Sequence, residues 1–135
     1  MSTNPQEIFG RYIWAGAMTR NPDALAELFT PDGVYEAPLV PEGHVFPRRL
    51  AGRAEIRAGM AAYYERSTDT GGTANMEQSR YVLHATADPD VFIAEIDTVL
   101  DGADGATTMS LVQIFRVSEG KIALLRDYFA AAAVG

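Results

Sequence analysis

Apolar residues follow two rhythms along this chain. Up to about residue 66 they recur every three or four positions, the spacing of a helix with one buried face. Beyond about residue 75 they alternate in runs broken by turn residues, as in strands. Asn4 to Met18 is predicted as a helix, with Ile8, Tyr12, Ala15 and Met18 on its apolar face. Asn4 can cap it, Pro5 suits the first helical position, and Glu7 can complete a capping box. Asn21-Pro22-Asp23 repeats the cap-then-proline logic and opens a second helix through Leu25 and Leu28 to Phe29. Thr30-Pro31-Asp32-Gly33 reads as a turn, and Gly33 to Pro38 as a strand that proline ends. A third helix is expected from Gly52 to about Arg66, with Ile56, Met60 and Tyr63 or Tyr64 as its buried stripe.

Residues 38–48 hold Pro38, Pro41, Gly43 and Pro47, which predicts an irregular loop of the kind that borders sites. Thr68 to Gly72 is a polar loop. Strands are then expected at about 75–86, 91–100, 107–117 and 121–130, joined by Asp88-Pro89-Asp90, Asp101–Gly105 and Ser118–Lys121. Links this short make sequential neighbours antiparallel. Helices first and a meander last predict one segregated α+β domain over residues 1–135. Such a sheet wrapped over helices leaves a concavity lined by the inward face of each strand.

Composition narrows the function classes. The formal charge of the 135-residue chain is −7, from 18 acidic against 11 basic residues, and no basic run is present. An acidic chain repels phosphate backbones, so nucleic acid is not an expected partner. No apolar run approaches the ~18 residues of a membrane span, and MSTNPQEIFG has no signal-peptide pattern. The chain has no cysteine, which removes disulfides, thiolate nucleophiles and Cys-type zinc sites. Together these readings favour a cytoplasmic location. No metal site is predicted, because two distant histidines, His44 and His84, and scattered acids do not form a ligand set. No phosphate-cradling loop is present either, and no cofactor is expected.

Strand alternation singles out candidate chemistry. If Asp127 faces inward, Ala123 and Leu125 share its face and Arg126 and Tyr128 face away; the alternative is an exposed strand-end carboxylate bound to Arg126 or solvent. On the preceding run, Val91, Ile93, Glu95, Asp97 and Val99 share one face. Were that face inward, Glu95 and Asp97 would repel, and one would keep its proton near neutral pH. A protonated and an ionised carboxyl side by side suit acid–base chemistry. The alternative is an outward, solvated face. Trp14, Tyr35, Met60, Tyr63 and Tyr64 can line a pocket for a ring-containing ligand or simply fill the core. His44 lies in the proline-rich loop, where it can reach a pocket mouth or sit in solvent. Arg48, Arg49 and Arg53 can hold a substrate carboxylate or pair with the excess acids.

The element order resembles the NTF2-like superfamily. Leu111–Val117, Glu119-Gly120-Lys121-Ile122 and Arg126-Asp127-Tyr128-Phe129 resemble the last two strands of SnoaL-like proteins and limonene-epoxide hydrolases. Leu28–Tyr35 with Gly52-Arg53 resembles their front half, and Asp88–Phe92 with Glu95-Ile96-Asp97 resembles PhzA/B-type proteins. The resemblance implies a cone of three N-terminal helices packed in a curved, mixed, mostly antiparallel sheet around a pocket. It also implies a homodimer through the outer sheet face. It implies a catalytic acid/base at Asp127 and one at Asp97, with Glu95 where the hydrolases have arginine. It matches Tyr12 to the oxyanion-binding tyrosine of ketosteroid isomerases and Gln113 to their hydrogen-bond-donating acid, whereas their base falls at Ala37. The expected function is a cofactor-independent acid–base enzyme, a cyclase or isomerase, acting on a small, apolar, ring-containing natural-product intermediate. Asp127, Asp97 and Glu95 would be its catalytic residues. Tyr12, Trp14, Tyr35, His44, Met60, Tyr63, Gln113 and Leu125 would bind the substrate. The alternatives are a non-catalytic binding module and an epoxide hydrolase with a modified acid set.

Overall fold

A computed structural model describes residues 4–44, 46–66, 73–102 and 105–130. The predicted polar loop 68–72 and part of the turn 101–105 lie outside them. Helix α1 spans Pro5–Ile13, and Asn4 caps it by accepting a hydrogen bond from the Glu7 amide at 3.3 Å. The helix then widens into a π-helical turn, Trp14–Met18. Helix α2 spans Pro22–Glu27 with Asn21 accepting from the Ala24 amide at 3.0 Å, and α3 spans Arg53–Arg66. The strands are β1 (Phe29–Glu36), β2 (Arg49–Ala51), β3 (Thr73–Ala85), β4 (Val91–Gly102), β5 (Gly105–Ser118) and β6 (Lys121–Tyr128).

The strands form one mixed sheet in the order β2-β1-β6-β5-β4-β3. β3 to β6 are the predicted antiparallel meander, while β1 joins β6 in parallel. This is the expected α+β architecture. Among the described residues no helix is long and apolar enough to cross a membrane.

Four local details differ from the sequence pattern. The π-helical turn carries an extra residue per turn and rotates the chain, so Ala15 stays buried while Met18 is 55 % exposed, off the expected apolar face. Residues 30–33 do not form a free turn. They are an irregularity within β1, between Phe29 and Val34, where the pairing with β6 shifts register. β2 was not legible, since three residues carry too little alternation to be read. A second register shift, between β5 and β6, places Ile122 fully inside. Strict alternation gives that inner position to Ala123, which is only partly buried.

The core lies between the helices and one face of the sheet. Ile8 and Phe9 of α1, Leu25 and Ala26 of α2, and Ile56 and Met60 of α3 pack against Phe92, Ala94, Phe115, Val117, Ile122 and Leu125 of the strands. Phe92 and Phe115, adjacent in the β4–β5 register, stack with centroids 4.7 Å apart. Phe115 also meets Phe9 and Tyr12 edge-on, at 6.0 and 5.4 Å. These contacts decide which face of β4 and β5 is inner.

Candidate active site

Two polar side chains are buried in this core among the described residues, Gln113 and Asp127. They are direct cross-strand partners in the β5–β6 register, so one inner-face position holds both. Tyr35, on the inner face of β1 beyond β6, donates its hydroxyl proton to Asp127 Oδ2 at 2.6 Å. Oδ1 of Asp127 and Oε1 of Gln113 are buried and accept no hydrogen bond. Tyr12 of α1 brings its hydroxyl beside the Gln113 amide.

The electrostatics follow from burial. Burial pushes the Asp127 carboxyl from its ordinary 3.8 up to about 6, against the opposing pull of the Tyr35 hydroxyl and the Gln113 amide. Burial also raises the Tyr12 and Tyr35 phenols well above their usual range, and the charge of Asp127 adds to both shifts. Tyr64, more open to solvent, is raised to about 12. The phenols therefore keep their protons near neutral pH, while the carboxyl gains and loses its own close to it. A carboxyl with that property can take a proton from a bound molecule and return it.

An aromatic wall adjoins Tyr35. Phe46, from the proline-rich loop, lies 6.0 Å from Tyr35, 4.6 Å from Tyr63 and 4.9 Å from Phe129 between ring centroids. His44 Nδ1 accepts a hydrogen bond from the Phe46 amide at 3.0 Å, which ties this part of the loop together. Met60 and Leu125 are buried in the core beneath. The expected pocket-lining residues Tyr12, Tyr35, Tyr63, Gln113, Met60 and Leu125 thus converge on one side of the sheet, with His44 acting through the loop.

Three expected members are elsewhere. Trp14 is 53 % exposed, because the π-helical turn points it outward. Glu95 and Asp97 lie on the outer face of β4, since Phe92, Ala94 and Ile96 take the inner one. Glu95 pairs with His84 of β3 at 2.6 Å, and Asp97 accepts a hydrogen bond from Ser110 of β5 at 2.6 Å. The acidic wall of three carboxyls is not assembled. Both outer acids border an open surface groove of about 410 Å³, which Arg80, Val82, Val112 and Tyr128 also line. The arginines meet acids or backbone: Arg48 lies 3.7 Å from Glu42, Arg49 lies 3.3 Å from Glu36, and Arg53 donates to the Phe29 carbonyl at 2.6 Å. Sequence reasoning missed Phe46 as a partner of Tyr35 and Phe129 as a partner of Phe46. Their aromatic character was the available signal, but a loop residue and a strand-end residue carry no periodicity that pairs them.

The SnoaL-like domain family matches residues 11–125. The chain belongs to this family. An uncharacterized PhzA/B-like protein of Pseudomonas aeruginosa is 31 % identical over 105 residues, covering 76 % of this chain and 68 % of that protein. A hypothetical protein with a ketosteroid isomerase-like fold from Catenulispora acidiphila, solved with trimethylamine, superposes with a TM-score of 0.69 at 21 % identity. That match covers 98 % of this chain and 91 % of the other. SalBIII, an epoxide hydrolase/cyclase-like enzyme of pyran-ring formation in the polyether salinomycin, superposes with a TM-score of 0.60 at 22 % identity. It covers 92 % of this chain and 88 % of its own. The last two likenesses establish the fold. The structural neighbours thus include a ketosteroid isomerase-like fold and an epoxide hydrolase/cyclase-like protein.

Proposed function

We propose that this SnoaL-like domain is a cofactor-independent acid–base catalyst, a cyclase or isomerase, for a small and largely apolar ring compound. The observation that carries this reading is Asp127: a buried carboxyl, held by Tyr35, whose burial raises it to about 6. Its second oxygen is free of donors inside an aromatic and aliphatic surround. Asp127 would remove a proton at one atom of the substrate and return it at another. Tyr35 would hold the carboxyl's orientation, and Tyr12 and Gln113 would place the substrate's polar group. Tyr63, Met60 and Leu125, with Phe46, would hold its apolar part. Ring formation by the SalBIII-type relative fits this class of chemistry.

Epoxide opening by an Asp–Arg–Asp set is not supported. The position of the arginine holds Glu95, and both Glu95 and Asp97 face outward. A binding module without turnover is the second reading. It is favoured by the isolation of Asp127, which has no second buried titratable acid, histidine or cation beside it among the described residues.

The test is turnover of a panel of isomerisable enones and hydroxy-epoxides by the wild type and by Asp127→Asn. General acid–base catalysis by this group predicts a drop of roughly 10²–10⁴ in kcat/KM. Equal rates in the two proteins would remove the catalytic role. Binding of these compounds with no turnover would favour the second reading.

The outer face of the sheet supports a homodimer as a further part of this proposal. Val82 is 56 % exposed there, and beside it lies the groove bordered by Val112, Tyr128, Glu95, Asp97 and Arg80.

A further inference from the structure

Buried acceptors without donors define what a partner molecule must bring. Among the described residues, the buried polar side-chain atoms that lack a hydrogen-bond partner include two oxygens, and both belong to one cross-strand pair. They are Oδ1 of Asp127 and Oε1 of Gln113, on side chains 5 % and 4 % exposed. The Tyr35 hydroxyl proton serves Asp127 Oδ2, and the Gln113 amide group lies between Asp127 and the Tyr12 hydroxyl, yet neither Asp127 Oδ1 nor Gln113 Oε1 receives a hydrogen bond from the protein. Ala94, opposite Gln113 on the other side of β5, offers only a methyl group, and Leu125 and Phe115 are apolar. No lysine, arginine or histidine is among the buried residues described. An unpaired buried acceptor raises the free energy of the folded state, and one pairing partner lowers it for each.

Resting on the acid–base reading of Asp127, we infer that the ligand is an uncharged ring compound presenting a hydroxyl group (a phenol, an enol or an alcohol) whose one proton is donated to Asp127 Oδ1, beside Gln113 Oε1. An ether or ketone of the same shape brings no donor and leaves both oxygens unpaired. A carboxylate meets Asp127 with like charge. An ammonium would bring donors, but burying its charge in this apolar surround costs far more than burying a hydroxyl.

The experiment measures binding of 1-naphthol, 1-methoxynaphthalene, 1-naphthoate and 1-naphthylmethylammonium to the full chain by isothermal titration at pH 7.5. The hydroxylated probe is expected to bind about tenfold or more tightly than its methyl ether, the factor set by leaving buried acceptors unpaired. Naphthoate is expected not to bind, and the ammonium to bind more weakly than naphthol. In Asp127→Leu the preference for naphthol over its ether should fall to within about twofold, because the acceptor is gone. Asp127→Ala provides the same comparison should the first variant fail to fold. Equal affinity for naphthol and its ether overturns the inference. So does tighter binding of the ammonium or the carboxylate, or no binding of any probe at millimolar concentration. Turnover is read separately. Probe discrimination together with Asp127-independent turnover fails the catalytic reading alone. Asp127-dependent turnover without discrimination fails the hydroxyl inference alone.

Discussion

Asp127 sets the behaviour expected at the residue scale. Its carboxyl titrates at about 6 in the folded protein and near 3.8 in the unfolded chain. Below pH 3.8 both states hold the proton and the group costs nothing. Between these values the folded state binds more protons than the unfolded one, so stability falls as pH rises, and above about 6 the penalty is complete. Its size is of the order of 3 kcal/mol, from about two pK units. Asp127→Asn lacks this titration. Its unfolding free energy relative to wild type is therefore expected to rise from pH 4 to pH 7 by about that amount, as measured by urea unfolding across pH. A flat difference would show that Asp127 titrates normally. Tyr35→Phe removes one of the interactions that hold the carboxyl down, so Asp127 should titrate higher still. A ¹³C-carboxyl NMR titration reads this directly. Any reaction that uses the ionised carboxyl should show its acid limb moved to higher pH in Tyr35→Phe.

At the scale of elements, two glycines mark where backbone and helix come close. Gly33 sits in the irregular part of β1, and a Cβ there would meet the Ile122 carbonyl oxygen at 2.8 Å. That carbonyl belongs to β6, so strand must move against strand. Gly33→Ala is expected to lower stability by roughly 1–3 kcal/mol, the range for overpacking a core. Gly59 of α3 looks as crowded, with a Cβ 2.6 Å from Leu50 Cδ2. There the obstacle is the end of a flexible side chain. Gly59→Ala, a better helix former by about 1 kcal/mol, should therefore cost less than Gly33→Ala. Thermal denaturation of the two variants ranks them, and the reverse ranking would contradict the β1–β6 packing. The chain's alternation placed Leu125 and Asp127 on one face, but it could not show the shift near Ala123. A bulge changes which residue is inner without leaving a mark in the apolar pattern.

Taken as a whole molecule, the sheet has two faces with different work. The inner face meets the helices and holds Gln113 and Asp127. The outer face holds Glu95 with His84, Asp97 with Ser110, and exposed Val82. A homodimer through this face is expected to dissociate when Val82→Glu adds a carboxylate next to Glu95, its partner across β3 and β4. Light scattering at micromolar concentration reads the outcome. A wild-type monomer would contradict the proposed dimer.

The three helices with their caps at Asn4 and Asn21, the four-strand meander, and the shared face of Leu125 and Asp127 were readable from the sequence alone. They rest on local chemistry: capping side chains, proline at helix starts, turn residues and period-two alternation. Only the tertiary structure decided which face of β4 is inner. Both of its faces carry apolar residues, Val91, Ile93 and Val99 against Phe92, Ala94 and Ile96, so alternation by itself is ambiguous. Stacking of Phe92 on Phe115, and of Phe115 against Phe9 and Tyr12, breaks that tie and sends Glu95 and Asp97 to the outside. The uninterrupted apolar set was the hint available in the chain. The pairing of Tyr35 with Asp127, 92 residues apart, had no local hint, because the parallel pairing of β1 with β6 that brings them together is a long-range contact.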